Sequence, residues 1–531
     1  MTTYLEFHPS RVQTYLTRWS DLKGRRGASQ MLRDAASVEV IDALLSDMPG
    51  VQRNLHVPDV DGVISVILDV DEQAEPVEQR IIAHLREKCP SAQFHVARGT
   101  DDGLPDEATY RRVFHRQIMP NVHAGTAPVS LAPVSEIPTA MRCRQTGGDL
   151  SIGYQAISDA ERHSVGLDVL ARITQADWRT SEARAAARRK QALIKTALSL
   201  EDELAARIGF KEAEAFKSEV RDFEELADLG PPRKRNHLAT VFIDGNRIGE
   251  LIDNCPDDDL RSLSSALDSA TWTALTQATI AVCELTGTGP SATTEESRRL
   301  PVLPHIVGGD DVLVTMPAFS GVEFTRCFLR VFSAECSRLT GKSLGDVSAS
   351  AGIVIHHRKY PFTRAADHAN DVLATAKKST EGRSASLALA ELTRDSTNVI
   401  DHDMAWQLSD LEVNVNLLEA MSRWTNSARS TLEQSVASAV DRYRSIRQTL
   451  TVGADVSESE LKSYDEAIWV AASSVLLTLR RGDGLTGAPE VIERIIQAAA
   501  GGQRSKVELE LLFIARSLSV SRWWLAEERV Q

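Results

Sequence analysis

Leu303–Met316 reads LPHIVGGDDVLVTM: two apolar runs joined by Gly308-Gly309-Asp310-Asp311. Apolar runs of this length around a glycine-rich polar turn predict a β-hairpin, Leu303–Val307 with Val312–Met316, and put both aspartates at its tip. Working outward, Ala239–Ile243 (ATVFI) is a buried-strand run that ends in Asp244-Gly245. Leu260–Cys283 carries Leu260, Leu263, Leu267 and Leu275 near one helical face, and Val322–Leu339 does the same with Phe324, Phe328, Val331 and Phe332. Ser348–His356 (SASAGIVIH) is a further strand. Phe362–Lys378 is a helix with Ala365, Ala366, Ala369, Leu373 and Ala376 inward, and Ser384–Leu389 is a candidate closing strand. The resulting order, β-α-β-β-α-β-α-β, is that of a ferredoxin-like sheet.

A second mixed α/β pattern opens the chain. Thr3–Phe7 is strand-like, helical spacing follows from Val12, His56–Val70 reads as a hairpin turning at Asp61-Gly62, and Pro76–Lys88 is helical through Val77, Ile81, Ile82 and Leu85. Residues from about 120 to about 165 are richer in Pro, Gly, Ser and Thr, and Ala160–Phe223 reads as long helices up to the break at Gly230-Pro231-Pro232. Beyond about residue 400 the pattern is helical, with breaks near Gly453 and Arg481–Pro489. The expected fold class is therefore α+β multidomain, with two ferredoxin-like domains of Palm arrangement, a helical linker and a helical C-terminal domain. The expected boundaries are 1–125, 126–235, 236–395 and 396–531.

A chain of 531 residues allows about three to five domains. With 42% hydrophobic and 25% charged residues, chain-wide disorder is excluded. The net charge of −14 argues against non-specific nucleic-acid binding by the whole molecule, though not against a local basic groove. Cys89, Cys143, Cys255, Cys283, Cys327 and Cys336 form no CxxC pair, so neither a disulfide framework nor a zinc site is expected, as suits a reducing cytosol. The N-terminus lacks a signal-peptide pattern, and the longest uncharged apolar stretch, Ala467–Leu479, falls short of the ~20 residues that span a bilayer. A cytoplasmic protein without a membrane partner is expected.

The candidate chemistry centres on Asp244, Asp310 and Asp311. With the first strand beside the hairpin, their carboxylates converge at one sheet edge, as hard oxygen ligands for Mg2+ or Mn2+. Two ions about 4 Å apart would activate a ribose 3′-hydroxyl and steady a leaving pyrophosphate. Gly-Gly-Asp-Asp is also ordinary turn chemistry. A plain turn, however, needs neither flanking apolar strands nor the upstream Asp244-Gly245. Gly308 and Gly309 let a nucleotide approach the backbone. Gly245, Asn246 and Gly249, in Gly245-Asn246-Arg247-Ile248-Gly249, are a candidate phosphate cradle or a plain loop. Lys377 and Lys378 end a helix, either to hold a triphosphate or as a solvated pair favoured by the macrodipole. His356 and His357 are a conceivable general base or simply strand-end histidines. Arg184, Arg188, Arg189, Lys190 and Lys195, and Arg233, Lys234 and Arg235, are basic clusters that suit RNA phosphates or a solvated face.

Three ordered blocks carry a family resemblance: VFIDGNRIGELI, LPHIVGGDDVLVTMP and SASAGIVIHHRKYPFTRAADHANDVLATAKK. From about His237 to Ala390 the chain resembles the second Palm domain of the large subunit of type III CRISPR effector complexes, the CRISPR polymerase-like proteins that make cyclic oligoadenylates. RVQTYLTRWSDLKGRRGASQML is similar to the start of that family's first Palm. The resemblance implies that Asp310 and Asp311 are the metal-binding aspartates of the GGDD tip, Asp244 the first-strand ligand and Lys377 the phosphate-binding lysine. It also implies two Mg2+ or Mn2+ ions per site, ATP as substrate, and other CRISPR complex subunits with guide and target RNA as partners in antiviral defence. The chain departs from the family in three ways. The Palm-like pattern starts near Met1, so a preceding HD nuclease domain is expected to be absent. The zinc module is degenerate, with Cys143 and Thr146-Gly147 as its remnant. Asn246 stands where the family often has Asp, which lowers the local negative charge. GGDEF and class III cyclases share the core, but here the tip reads GGDD followed by Val312. The expected activity is nucleotidyl transfer to a cyclic oligonucleotide; a silent scaffold subunit and a stand-alone, homodimeric signalling cyclase are the alternatives.

Overall fold

The computed structural model describes residues 2–19, 22–57, 62–103, 105–123, 129–130, 141–146, 150–156, 162–180, 200–211, 220–231, 235–253, 260–294, 297–340, 347–392 and 405–424. Towards the C-terminus it describes 429–430, 432, 434, 436, 473, 491, 493–494, 497 and 504–524.

The N-terminal sheet contains β1 (Thr2–Ser10), β2 (Val51–Arg53), β3 (Ile64–Leu68), β4 (Gln93–Asp101) and β5 (Val129–Ser130), in the order β2-β3-β1-β4-β5. Helices α1 (Leu22–Ala36) and α2 (Ala74–Lys88) contribute Ala28, Met31, Val77, Ile81 and Leu85 to a core shared with Leu5, Phe7, Val66 and Leu68. The expected hairpin is present but its first arm lies upstream: Val51 pairs with Leu68 and Arg53 with Val66. His56 and Val57 precede the turn without joining the ladder, and residues 58–61 lie outside the described residues.

A small two-stranded sheet, β6 (Gly153–Ala156) with β7 (Arg162–Val165), follows. The stretch expected to be helical from Ala160 thus contains a strand, because Arg162–Val165 pairs with Gly153–Ala156. Helix α3 (Leu167–Thr180) comes next. The basic cluster Arg184–Lys195 and Arg233-Lys234 lie outside the described residues.

The second sheet contains β8 (His237–Gly245), β9 (Leu303–Gly308), β10 (Asp311–Pro317), β11 (Ala349–His357), β12 (Ser386–Glu391) and β13 (Trp406–Gln407). Its order is β13-β12-β11-β8-β10-β9, and only β11 and β12 run parallel. β8 is central and β12 is not the edge; β13 pairs outside it. Alternation splits β8 between two cores. Ala239, Val241 and Ile243 face α4 (Leu260–Thr286) and α5 (Gly321–Thr340), whereas Phe242 faces α6 (Phe362–Thr380). The first core continues into the C-terminal helix α7 (Arg504–Arg522) through Leu511, Phe513, Ile514 and Leu518. The two sheets adjoin at β9, where Ile306 packs against the N-terminal core. Nearby, the guanidinium of Arg25 lies 3.3 Å from the ring centroid of Phe362. Among the described residues no helix is long and apolar enough to cross a membrane.

A buried polar ladder crosses four strands on the α6 side. His305 Nε2 meets Thr315 Oγ1 at 2.9 Å, Thr315 meets Thr240 at 3.2 Å, and Thr240 meets His356 Nε2 at 2.8 Å. Burial holds His356 neutral and pushes its pKa down to about 4; the charge of Arg25 acts in the same direction. Burial, with Arg25 and Arg26, also holds His305 well below the usual imidazole range. The unfolded chain binds a proton at each of these positions near pH 6.5, while the folded chain does so only at lower pH. Stability is therefore whole above pH 6.5 and falls as the pH drops, by ~3 kcal/mol for His356 alone by about pH 4. Denaturant midpoints measured from pH 7 to pH 4 should show this decline, and His356→Gln should flatten it.

Candidate active site

In the β8–β10 register Val312 lies opposite Ile243. One step further, Asp311 comes level with Asp244, and Asp310 follows in the turn beside Gly245. The turn itself is Gly309-Asp310, closed by the pairing of Asp311 with Gly308. Gly309 adopts φ +54°, the left-handed conformation that a tight hairpin turn asks of glycine. Its carbonyl accepts a hydrogen bond from Thr271 Oγ1 of α4 at 2.7 Å, which fixes the tip to the helix layer.

Asp310 turns back toward the first strand, where its Oδ2 accepts the Gly245 N–H at 3.1 Å. The approach is close: a Cβ on residue 245 would stand 2.4 Å from Asp310 Oδ2 and from Ile248 Cγ1, so these side chains would have to move aside. Asp244 forms an ion pair with Lys377, whose Nζ also donates to the Gly245 carbonyl at 2.9 Å. Lys377 reaches the site because α6 ends beside it. Glu381 adopts φ +52° and Gly382 φ +64°, and the Gly382 N–H caps the Lys377 carbonyl at 2.9 Å. Lys378 is exposed, one residue round the helix. Asp311 is exposed at the sheet edge.

The cradle expected from Gly245 to Gly249 is only partly in place. The Gly245 N–H is committed to Asp310, and the Asn246 N–H to the Ser348 carbonyl at 2.8 Å. Asn246 itself is buried, with its amide bonded to Ser348, Ser350 and Ser384 rather than turned toward the carboxylates. Gly249 lies exposed in the short helix Ile248–Asp253.

His356 is no base for this site. It is paired with Leu238, whereas Ser350 is paired with Asp244, so six strand positions, roughly 20 Å, separate them. Cys143 is a core residue, buried with Trp19, Val165, Val169 and Ile173. The buried Cys336 thiol, pushed up to about 12 by burial and then by the charge of Asp310, stays protonated.

The donor set of Asp244, Asp310 and Asp311 has the hard-oxygen chemistry that Mg2+ or Mn2+ requires. The three carboxylates share one edge but not one point: among the described residues no group of three or more His, Cys, Asp or Glu side chains is arranged around a metal position. The reason is local. Lys377 occupies Asp244, and the Gly245 N–H draws Asp310 inward. Thr271 and the serines at 348, 350, 384 and 386 were not legible as site residues. Ser348 and Ser350 do carry a signal, as two small hydroxyls spaced by two in an apolar strand.

A central strand ending in a carboxylate, beside a GGDD hairpin and under a lysine-bearing helix, defines a palm domain of the nucleotide-cyclase type. Residues 237–387 match the family model of the Cas10/Cmr2 second palm domain, so the chain carries a Cas10-like second palm, the family its motifs resemble. No curated protein matches the chain. Among solved structures, the Csm1–Csm4 cassette in complex with cA4 is similar at 16% identity and TM-score 0.52, over 97% of this chain and 70% of that one. The cassette in complex with pppApA is similar at 14% identity and TM-score 0.54, over 99% and 69%. At such identities the likeness is one of fold, and it extends over nearly the whole of this chain.

Proposed function

We propose that this chain is the large subunit of a type III CRISPR-like RNA-guided complex, and that its second palm condenses ATP into cyclic oligoadenylates. One observation carries the proposal: the sheet edge unites Asp244, the GGDD turn and Lys377, residues far apart in sequence. The Cas10/Cmr2 match of this segment and the ligands named for the similar cassettes, cA4 and pppApA, support the same chemistry.

In this proposal Asp244, Asp310 and Asp311 hold two Mg2+ or Mn2+ ions, which when bound neutralise phosphate charge and acidify the attacking hydroxyl. Lys377 leaves Asp244 and pairs with the triphosphate. The turn backbone at Gly308-Gly309 gives the nucleotide room. A ribose 3′-oxygen forms a bond to the α-phosphorus of the next ATP, the bond from that phosphorus to pyrophosphate breaks, and the hydroxyl proton passes to solvent. Positioning and charge compensation are the protein's contribution.

A scaffold that makes no product is the second reading, favoured by the Lys377 ion pair that occupies Asp244. The deciding experiment incubates the chain, alone and co-purified with its subunits and RNA, with each NTP and Mg2+ or Mn2+. Products are read by mass spectrometry. A cyclic product from ATP is expected; no conversion of any NTP in either preparation overturns the enzyme reading and leaves the scaffold.

Lys377→Ala should raise the KM for ATP roughly 10- to 100-fold, the scale of a lost charge-assisted hydrogen bond, with a smaller effect on kcat. Steady-state kinetics at several ATP concentrations separate the two.

A further inference from the structure

Asn246 departs from the residue its family often carries, and its surroundings give it a different task. It is 7% exposed. Its Nδ2 donates to Ser348 Oγ at 2.9 Å and to the Ser384 carbonyl at 3.1 Å, while its Oδ1 accepts from Ser350 Oγ at 2.9 Å. The Ser384 carbonyl only accepts, so the amide nitrogen must face it. Ser350 Oγ also lies 2.8 Å from Ser386 Oγ, but its proton goes to Asn246 and that of Ser386 to the Ala376 carbonyl at 2.8 Å, so the two oxygens touch without a hydrogen bond between them. Ser350 and Ser386 are both fully buried. Through the Ser384 carbonyl, which also accepts from Thr380 Oγ1 at 3.2 Å, Asn246 ties the end of β8, two residues after Asp244, to the last turn of α6 and the loop that follows it. Ala376 immediately precedes Lys377.

We infer that Asn246 is a positioning residue, which clamps the end of β8 to the end of α6 and so fixes Lys377 against Asp244. This rests on the nucleotide site proposed above. An aspartate at 246 would not restore a missing metal ligand. It would lose both donors and set a carboxylate against the Ser384 carbonyl, loosening the clamp.

The test is the affinity for ATP with Mn2+, measured by isothermal titration calorimetry on the full chain after thermal melts have shown each variant folded. Asn246→Ala and Asn246→Asp should each weaken binding roughly 10- to 100-fold, the scale of lost outer-sphere support. Ser350→Ala, which removes one hydrogen-bond partner of Asn246, should weaken it less and serves if the Asn246 variants do not fold. In a Lys377→Ala background the same substitutions should change affinity less than about threefold, because the clamp acts through that lysine. Full additivity with Lys377→Ala, or tighter binding in Asn246→Asp, overturns the positioning role while leaving the nucleotide site standing. Absence of ATP binding by the unsubstituted chain overturns both.

Discussion

Replacing both hairpin aspartates, Asp310→Ala/Asp311→Ala, is expected to lower product formation from ATP by at least roughly 10²-fold, the scale on which loss of one preorganised electrostatic contact acts. The two positions do not contribute alike. Asp310 also accepts the Gly245 N–H, so alanine there orphans a backbone donor beside Asp244 as well as removing a charge. An orphaned donor costs about 1–3 kcal/mol where it is buried, and part of any loss in the alanine variant would be structural. Asp310→Asn/Asp311→Asn separates the two effects. Asparagine keeps an oxygen for the Gly245 N–H but removes the charge that Mg2+ or Mn2+ needs. The asparagine pair should melt close to the unsubstituted protein and still lose activity as the alanine pair does. Product formation at an undiminished rate in either pair would remove these carboxylates from the chemistry.

The second palm was legible because several levels of its sequence agree. Apolar runs in Ala239–Ile243 and Val312–Met316, helical spacing through Phe324, Phe328 and Phe332, and turn residues at Gly308-Gly309 all specify one topology, and the elements fall within a few residues of expectation. The N-terminal hairpin was misplaced because Val51–Arg53 is too short to show alternation. It pairs through its register with β3, information that lies in the partner strand. In the site, Asp244 and Lys377 were legible as chemistry but not as partners, since their contact joins residues on β8 and α6 that no local pattern links. Asn246 was read as part of a phosphate cradle and as a departure in charge, not as a buried clamp. Its burial and its three serine partners come from β11, the residue before it and the loop after α6, which meet Asn246 only in the folded domain.

Gly352→Val is expected to destabilise the second palm more than any single change at the active-site edge. Gly352 lies in β11, between β8 and β12, on the face that α6 covers. A Cβ there would stand 2.1 Å from the Ala369 carbonyl oxygen and 2.4 Å from the Leu373 nitrogen. Both are backbone atoms of α6, so no side-chain rotation relieves the clash. β11 is held by ladders on both sides, and the helix must therefore lift away from Phe242, Val354 and Ala388. Overpacking a core costs about 1–3 kcal/mol and occasionally more, and backbone obstacles put this case at the upper end. For a domain of this size ~3 kcal/mol lowers Tm by roughly 6–12 °C. Gly153→Ala, where an added Cβ meets nothing within 4 Å, should leave the melt nearly unchanged. Lys377 follows Leu373 by one helical turn, so lifting α6 also draws its Nζ from Asp244. ATP affinity should fall together with Tm. A Gly352→Val protein melting within about 2 °C of the unsubstituted chain would mean that α6 does not rest on β11 at this distance, and that Lys377 is positioned by something other than the glycine beneath its helix.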